Sequence, residues 1–314
     1  MASIREKIGQ MIMIGLQGEE LNQEEERLFR DYPIGGFILF SHNLKEPQQI
    51  LSLCRSLWER SKEVPPLIAI DQEGGRIHRL PAPFTHFPPA AALGRTQNPE
   101  LAYRVGLATA RELLAVGINV NFAPVLDVLS NPNNPVIGDR SLSSDTEQVI
   151  ALGWEIIQGL RKGGIIPCGK HFPGHGDTAR DSHLELPVVE KDLAALKATE
   201  LPPYIHACHN QIESLMTAHV LYPCLDPNYP STLSHSIITS LLRQEFGYDG
   251  VVFGDDLEMK AISKNYSLEE AVSLSVDAGV DELMFCHDHL RSVQAFDFLY
   301  QQAESDLRIK ARVE

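Results

Sequence analysis

The chain has 314 residues, of which 43% are hydrophobic and 22% charged, and its formal net charge is −15. That charge argues against nucleic acid and against an anionic membrane surface as partners, because both need a cationic footprint. The five cysteines, Cys54, Cys168, Cys208, Cys224 and Cys286, are odd in number, scattered and without a Cys-x-x-Cys spacing. They fit reduced thiols better than a disulfide framework.

In chain order, Arg5-Glu6-Lys7 precedes an apolar run, Met11–Leu16, that is interrupted by Gly15. The run is shorter than the roughly seven to fifteen apolar residues of a secretory segment. No stretch approaches the roughly eighteen needed to span a bilayer, so a cytoplasmic protein is expected. Met11–Leu16 is instead the first of eight candidate strands. The others are Gly36–Phe40, Leu67–Asp71, Asn119–Ala123, Ile165–Lys170, Ser214–His219, Gly250–Gly254 and Glu282–Cys286. Amphipathic stretches separate them, among them Gln48–Ser61, Pro99–Val116, Asp145–Lys162, Ser234–Glu245 and Leu268–Ala278. The last has a clear start signal: Ser267 can cap the free amides and Glu270 stands at capping-box spacing.

Eight strands alternating with helices predict an α/β fold, a single (β/α)8 TIM barrel spanning residues 1–314, rather than a six-stranded open sheet. Pro81–Pro89 and Pro223–Pro230 read as loops inside that one domain. In such a barrel the polar chemistry sits at the C-terminal ends of the strands. Strand three ends in Asp71-Gln72-Glu73-Gly74-Gly75-Arg76, with Arg79 close behind. Strand four leads to Asp127 and onward to Gly138-Asp139-Arg140. Strand six ends in His219 and strand seven in Asp255-Asp256. The densest end is that of strand five. Lys170, His171, His175, Asp177, Asp181 and His183 crowd one Gly- and Pro-rich loop. A lone histidine there would be a solvated surface group; this crowding reads as chemistry delivered by a strand to a loop.

At these residues the chain resembles glycoside hydrolase family 3, and within it the single-domain bacterial β-N-acetylglucosaminidases of peptidoglycan recycling. The segments that carry the likeness are Pro33–Phe40, Asp71–Arg76, Phe122–Val128, Asn134–Ser141, Lys170–His183 and Gly250–Met259. The resemblance as a whole covers nearly the entire chain, from about residue 5 to about residue 290. The resemblance implies a retaining glycosidase without cofactor or metal. It also implies a small carbohydrate or muropeptide as partner, N-acetylglucosamine joined to 1,6-anhydro-N-acetylmuramic acid. Phosphate in place of water as acceptor stays open, and so does the oligomeric state.

Retention requires a nucleophile on one face of the sugar and a proton donor at the leaving oxygen. Asp255 closes the apolar strand Val251-Val252-Phe253, which would hold its carboxylate rigidly at the barrel mouth. The alternative for an Asp at this place is a helix cap, and Asp256 fits that better. Asp181 and His183 stand two apart, so in an extended segment both project to one side. A carboxylate beside an imidazole favours the imidazolium, a suitable proton donor; the plainer alternative is a loop-ordering hydrogen bond. The family resemblance implies the same Asp–His pair as acid/base.

The resemblance further implies that Asp71, Arg79, Arg140, Lys170 and His171 line the sugar pocket, where carboxylate, guanidinium and ammonium grip hydroxyls. Without it, Arg79 would read as a surface salt bridge and Lys170 as a rim ion pair. Departures from the family pattern are Gly254, where a serine is common, Leu142-Ser143 in place of Phe-Gly, and His287-Asp288-His289, which has no family role. A metal-dependent hydrolase is the competing enzyme class, through His206-Ala207-Cys208-His209, but that segment falls late in an outer helix, away from the mouth. A non-catalytic sugar-binding relative would have lost Asp255 or the Asp181–His183 pair, and both are present.

Overall fold

The structure is a computed structural model that describes residues 2–61 and 64–314. Its strands are β1 (Ile12–Gly15), β2 (Gly36–Leu39), β3 (Leu67–Ile70), β4 (Val120–Asn121), β5 (Ile166–Phe172), β6 (Ser214–Thr217), β7 (Val251–Phe253) and β8 (Leu283–Phe285). All pair in parallel, in the order β7-β6-β5-β4-β3-β2-β1-β8. A parallel bridge between Phe253 and Glu282 joins the two outer strands, and the Gly254 N–H donates to the Glu282 carbonyl at 2.8 Å. The ring is thereby closed, and the fold is the expected (β/α)8 barrel.

Each expected strand is present, and most are shorter than the apolar run that announced them. Strand β4 shrinks most. The Ala123 N–H turns back to the Asn121 carbonyl at 2.7 Å, so the chain leaves the ladder early. Strand β5 does the opposite and runs two residues past Lys170, with a register shift between Lys170 and Phe172. Neighbouring strand residues normally face opposite sides; the slip lets Lys170 and His171 line the same cavity.

Alternation divides the buried side chains between two cores. Met13, Ile38, Val120, Phe122, Met216, Phe253 and Met284 fill the lumen. Ile12, Ile14, Leu39, Ile68, Ile70, Leu215 and Val252 pack outward under the helices. This is the layered interior of a packed barrel, whose top layer becomes the floor of the mouth.

The helices Pro47–Arg60, Pro99–Ala115, Thr146–Lys162 and Leu268–Ala278 lie within one residue of the expected bounds at each end. The Ser267 capping box forms: Ser267 Oγ accepts from the Glu270 N–H at 3.2 Å and the Glu270 carboxylate accepts from the Ser267 N–H at 2.9 Å. Ser236–Glu245 is helical but winds with a π pitch. Helices Pro99–Ala115 and Thr146–Lys162 approach closely because Gly106 and Gly159 sit at their crossing. A Cβ on either would come within 2.4 Å and 2.2 Å of the carbonyl oxygens of Ile156 and Tyr103. None of the described helices is long and apolar enough to cross a membrane.

Candidate active site

The C-terminal ends of the strands enclose a cavity of about 410 Å3. Asp71, Arg79, Arg140, Lys170, His171, His183 and Asp255 all line it, while Asp181 stands behind His183. Its apolar floor is the top of the lumen: Ile38, Phe122, Met216 and Met284.

One wall is a charged cluster. Lys170 is 2% exposed, and its Nζ lies 2.7 Å from Asp71 Oδ1 and 2.7 Å from Glu73 Oε1. The Arg140 guanidinium grips Glu73 with two bonds, Nε to Oε2 at 2.9 Å and Nη2 to Oε1 at 2.8 Å. Arg79 comes within 3.7 Å of Asp71 Oδ2 and lies over the Phe40 ring, 5.8 Å from its centroid. Burial alone would drive these groups neutral. For Glu73 the ammonium and guanidinium outweigh it and hold the carboxyl far below the usual range, and for Lys170 the two carboxylates keep the ammonium charged.

Glu73, which the sequence pattern contains without a role of its own, is the shared counter-charge of Lys170 and Arg140. The available signal is its place two residues beyond Asp71, together with the three cations expected in one pocket, Arg79, Arg140 and Lys170, which need more than one counter-charge.

Asp127 is fully buried and anchors the strand-five loop. Its Oδ2 accepts from His171 Nδ1 at 2.7 Å. Oδ1 accepts from the N–H groups of His171 and His175, at 3.0 and 2.7 Å, and from the Tyr204 hydroxyl at 2.8 Å. Burial pushes Asp127 up, but His171 and the other donors hold it below the usual aspartate range. His175 is buried between Thr178 Oγ1, 2.9 Å from Nδ1, and Ser182 Oγ, 3.1 Å from Nε2; burial pushes it down to about 4. It is therefore a neutral strut inside the loop. Asp177 faces Lys191 at 3.2 Å and Ser130 at 3.3 Å, also within the loop's supports.

At the end of β7, Asp255 and Asp256 separate in environment. Burial would raise Asp255, but the imidazoles of His219 and His171 and the Asp256 N–H hold it below the usual range. His219 is itself pushed down by burial, so its help is greatest below neutral pH. Asp256 accepts from the Glu258 N–H at 3.0 Å inside a turn; it does not cap the next helix, Lys260–Ser263, whose N-cap position is Met259, and burial pushes its carboxyl up to about 7. His219 is fully satisfied, with Nδ1 2.8 Å from Thr232 Oγ1 and Nε2 2.9 Å from the Asp256 carbonyl.

The Asp181–His183 pair forms on the exposed side of the mouth. His183 Nδ1 donates to Asp181 Oδ1 at 2.7 Å and the His183 backbone N–H donates to the same oxygen at 2.8 Å. Despite partial burial, these donors hold Asp181 below the usual range. With Nδ1 engaged, Nε2 of His183 is the nitrogen left for exchange with a substrate.

Among the described residues, no group of three or more His, Cys, Asp or Glu side chains is arranged to hold a metal ion. His206 and His209 lie on the helix Pro202–His209, where His206 packs edge-on against Trp154. At Gly254 a Cβ would meet Val280 Cγ1 at 3.3 Å and the Glu282 carbonyl oxygen at 3.4 Å, so the glycine leaves room barely larger than itself. Leu142 is buried against Leu93, Val149 and Leu152.

The model of the glycosyl hydrolase family 3 N-terminal domain matches residues 3–314. A β-hexosaminidase of Alkalilimnicola ehrlichii is 39% identical over 290 residues, covering 90% of this chain and 82% of its own. The solved family 3 β-N-acetylglucosaminidase of a Paenibacillus species superposes with a TM-score of 0.96 at 42% identity. That match covers all of this chain but only 61% of the longer Paenibacillus protein. NagZ of Neisseria gonorrhoeae superposes with a TM-score of 0.85 at 34% identity, over 91% of this chain and 84% of its own. The sequence resemblance thus agrees with the family match and with the named relatives, and the chain belongs to glycosyl hydrolase family 3.

Proposed function

We propose that this protein is a retaining exo-β-N-acetylglucosaminidase with Asp255 as nucleophile and His183, backed by Asp181, as acid and base. The observation that carries the reading is that an ionised Asp255 and the His183 imidazole line one cavity whose other wall is a fixed set of sugar-gripping groups. Asp71, Arg79, Arg140, Lys170 and His171 would hold the terminal sugar there. Relatives named β-hexosaminidase and β-N-acetylglucosaminidase support the choice of an N-acetylated sugar.

In the first step the Asp255 carboxylate attacks the anomeric carbon while His183 Nε2–H protonates the departing glycosidic oxygen. The covalent glycosyl-enzyme and a neutral imidazole result. Water then attacks the same carbon, His183 takes its proton, and the carboxylate leaves with the original configuration restored. Asp181 holds the ring by Nδ1 through both steps, which leaves Nε2 for the proton transfers. No metal or cofactor enters these steps. We further propose, from the sequence resemblance, a cytoplasmic role on N-acetylglucosaminyl-1,6-anhydromuramic muropeptides in cell-wall recycling.

The test is release of 4-nitrophenol from 4-nitrophenyl N-acetyl-β-glucosaminide with EDTA present. Wild type is expected to turn over, and Asp255→Ala to fall to background. On a disaccharide, which needs proton donation, His183→Ala is expected to lose about 10²–10⁴-fold in kcat. An inert wild type, or turnover that survives Asp255→Ala, overturns the reading. Adding inorganic phosphate and looking for a sugar 1-phosphate separates hydrolysis from phosphorolysis.

A further inference from the structure

The cavity is graded from a closed, charge-fixed end to an open rim. Lys170 and Glu73 are almost completely buried at the closed end, whereas the His287 side chain at the rim is 70% exposed. An exo-acting pocket holds the terminal sugar in its closed end, so the remainder of the substrate must leave through the rim. The reaction steps leave His287 unused.

Several contacts nevertheless fix this residue in place. Its ring stacks on Phe40, with centroids 5.8 Å apart and planes 25° from parallel. Asp256 Oδ1 is occupied by the N–H groups of Glu258 and Cys286, at 3.0 and 3.4 Å. Its Oδ2 lies 3.9 Å from His287 Nε2. The Glu258 carboxylate accepts from the N–H groups of His287 and Asp288 at 2.6 and 3.1 Å, which holds the backbone of the turn. A solvent-exposed ring with its backbone and one face fixed is a poor candidate for a merely solvated loop group.

We propose that His287, stacked on Phe40 and anchored through its backbone N–H by Glu258, is the platform on which the leaving-group ring of the substrate packs, and that it sets preference among leaving groups. The proposal rests on the glycosidase reading above. A pyranose or aryl ring offers an apolar face to the imidazole, and its hydroxyls can meet the ring nitrogens at the edge. Phe40 also lies under Arg79, so the platform joins directly to the grip on the terminal sugar.

The test compares wild type with His287→Asn, which removes the ring, and His287→Trp, which restores one. Two quantities are measured: kcat/KM for N,N′-diacetylchitobiose, which needs both ends of the cavity, and Ki for N-acetylglucosamine, which fills the closed end alone. His287→Asn is expected to lower kcat/KM about 3- to 10-fold with Ki unchanged, the size of one lost ring contact, and His287→Trp to keep it near wild type. An unchanged kcat/KM in His287→Asn overturns the platform, as does a parallel loss in kcat/KM and Ki, which would mark a general distortion. In both cases wild-type turnover leaves the glycosidase reading standing. A wild type inert toward both the disaccharide and the nitrophenyl sugar overturns the two together.

Discussion

A single buried carboxylate, Asp127, shapes much of the mouth. It is wholly inaccessible, yet it accepts four hydrogen bonds, three of them from His171 and His175. Removing it strands the His171 ring and two backbone N–H groups in a dry site. Asp127→Ala is therefore expected to cost about 3–5 kcal/mol in urea unfolding. Asp127→Asn preserves the shape and loses the charge, so it should be milder but still raise KM through a misplaced His171. The sign of the pH dependence follows from the depressed pKa. The carboxylate stabilises the fold at pH above the ordinary value of 3.8, and that stability drains away as pH falls through the lowered folded value. Wild type should lose stability on acidification more steeply than Asp127→Asn. Equal slopes for the two would show that Asp127 does not carry this part of the acid sensitivity.

At the scale of the element, the loop after β5 is braced from outside its own sequence. Lys191 Nζ lies 2.5 Å from Glu200 Oε1, which also accepts from Ser130 Oγ at 2.8 Å, and the Glu200 side chain is fully buried. Asp177 joins the same group from within the loop, and the Tyr222 hydroxyl donates to the Gly174 carbonyl. Lys191→Met leaves the Glu200 carboxylate buried without a counter-charge. We expect faster proteolytic cleavage between residues 174 and 183 and a reduced kcat, since His183 rides on that loop. Cleavage and kcat at wild-type levels would show that the brace is dispensable. Strands and helices were legible in the sequence because short apolar runs and period-3.6 patterns are local signals, and Ser267 with Glu270 announced a helix start correctly. The candidate site residues drew notice because they stand at or after strand ends, while the sugar-binding roles of Asp71, Arg79, Arg140, Lys170 and His171 came from the family resemblance. The braces were not. Glu200, Lys191 and Ser130 meet only after the barrel closes, and nothing in their spacing announces it. The rescue of both Lys170 and His171 for one cavity likewise depended on a register shift that no apolar run encodes.

For the molecule as a whole, barrel closure carries an internal cost. The last bridge of the ring, Phe253 to Glu282, places a glutamate where its side chain is 3% exposed, close to Gly36 and Met13. Neither carboxyl oxygen has a hydrogen-bond partner among the described residues. Burial, with the neighbouring Asp281 charge, pushes its pKa well above the glutamate range, so the fold favours its neutral form. The unfolded chain ionises it near the ordinary 4.5. As pH rises past that value the unfolded state gains while the folded state does not, and stability falls until the raised folded value is reached. This runs opposite to Asp127: one group weakens the fold in acid and the other at neutral and alkaline pH. Glu282→Gln keeps the shape and removes the titration. It should match wild type in urea unfolding near pH 4.5 and exceed it at pH 8, with the gap widening in between. Because Glu282 lies at the opposite end of the strands from the cavity, kcat and KM should not change. A Glu282→Gln protein no more stable than wild type at pH 8 would mean that the buried carboxyl finds compensation in the folded state, and the barrel would then close without this cost.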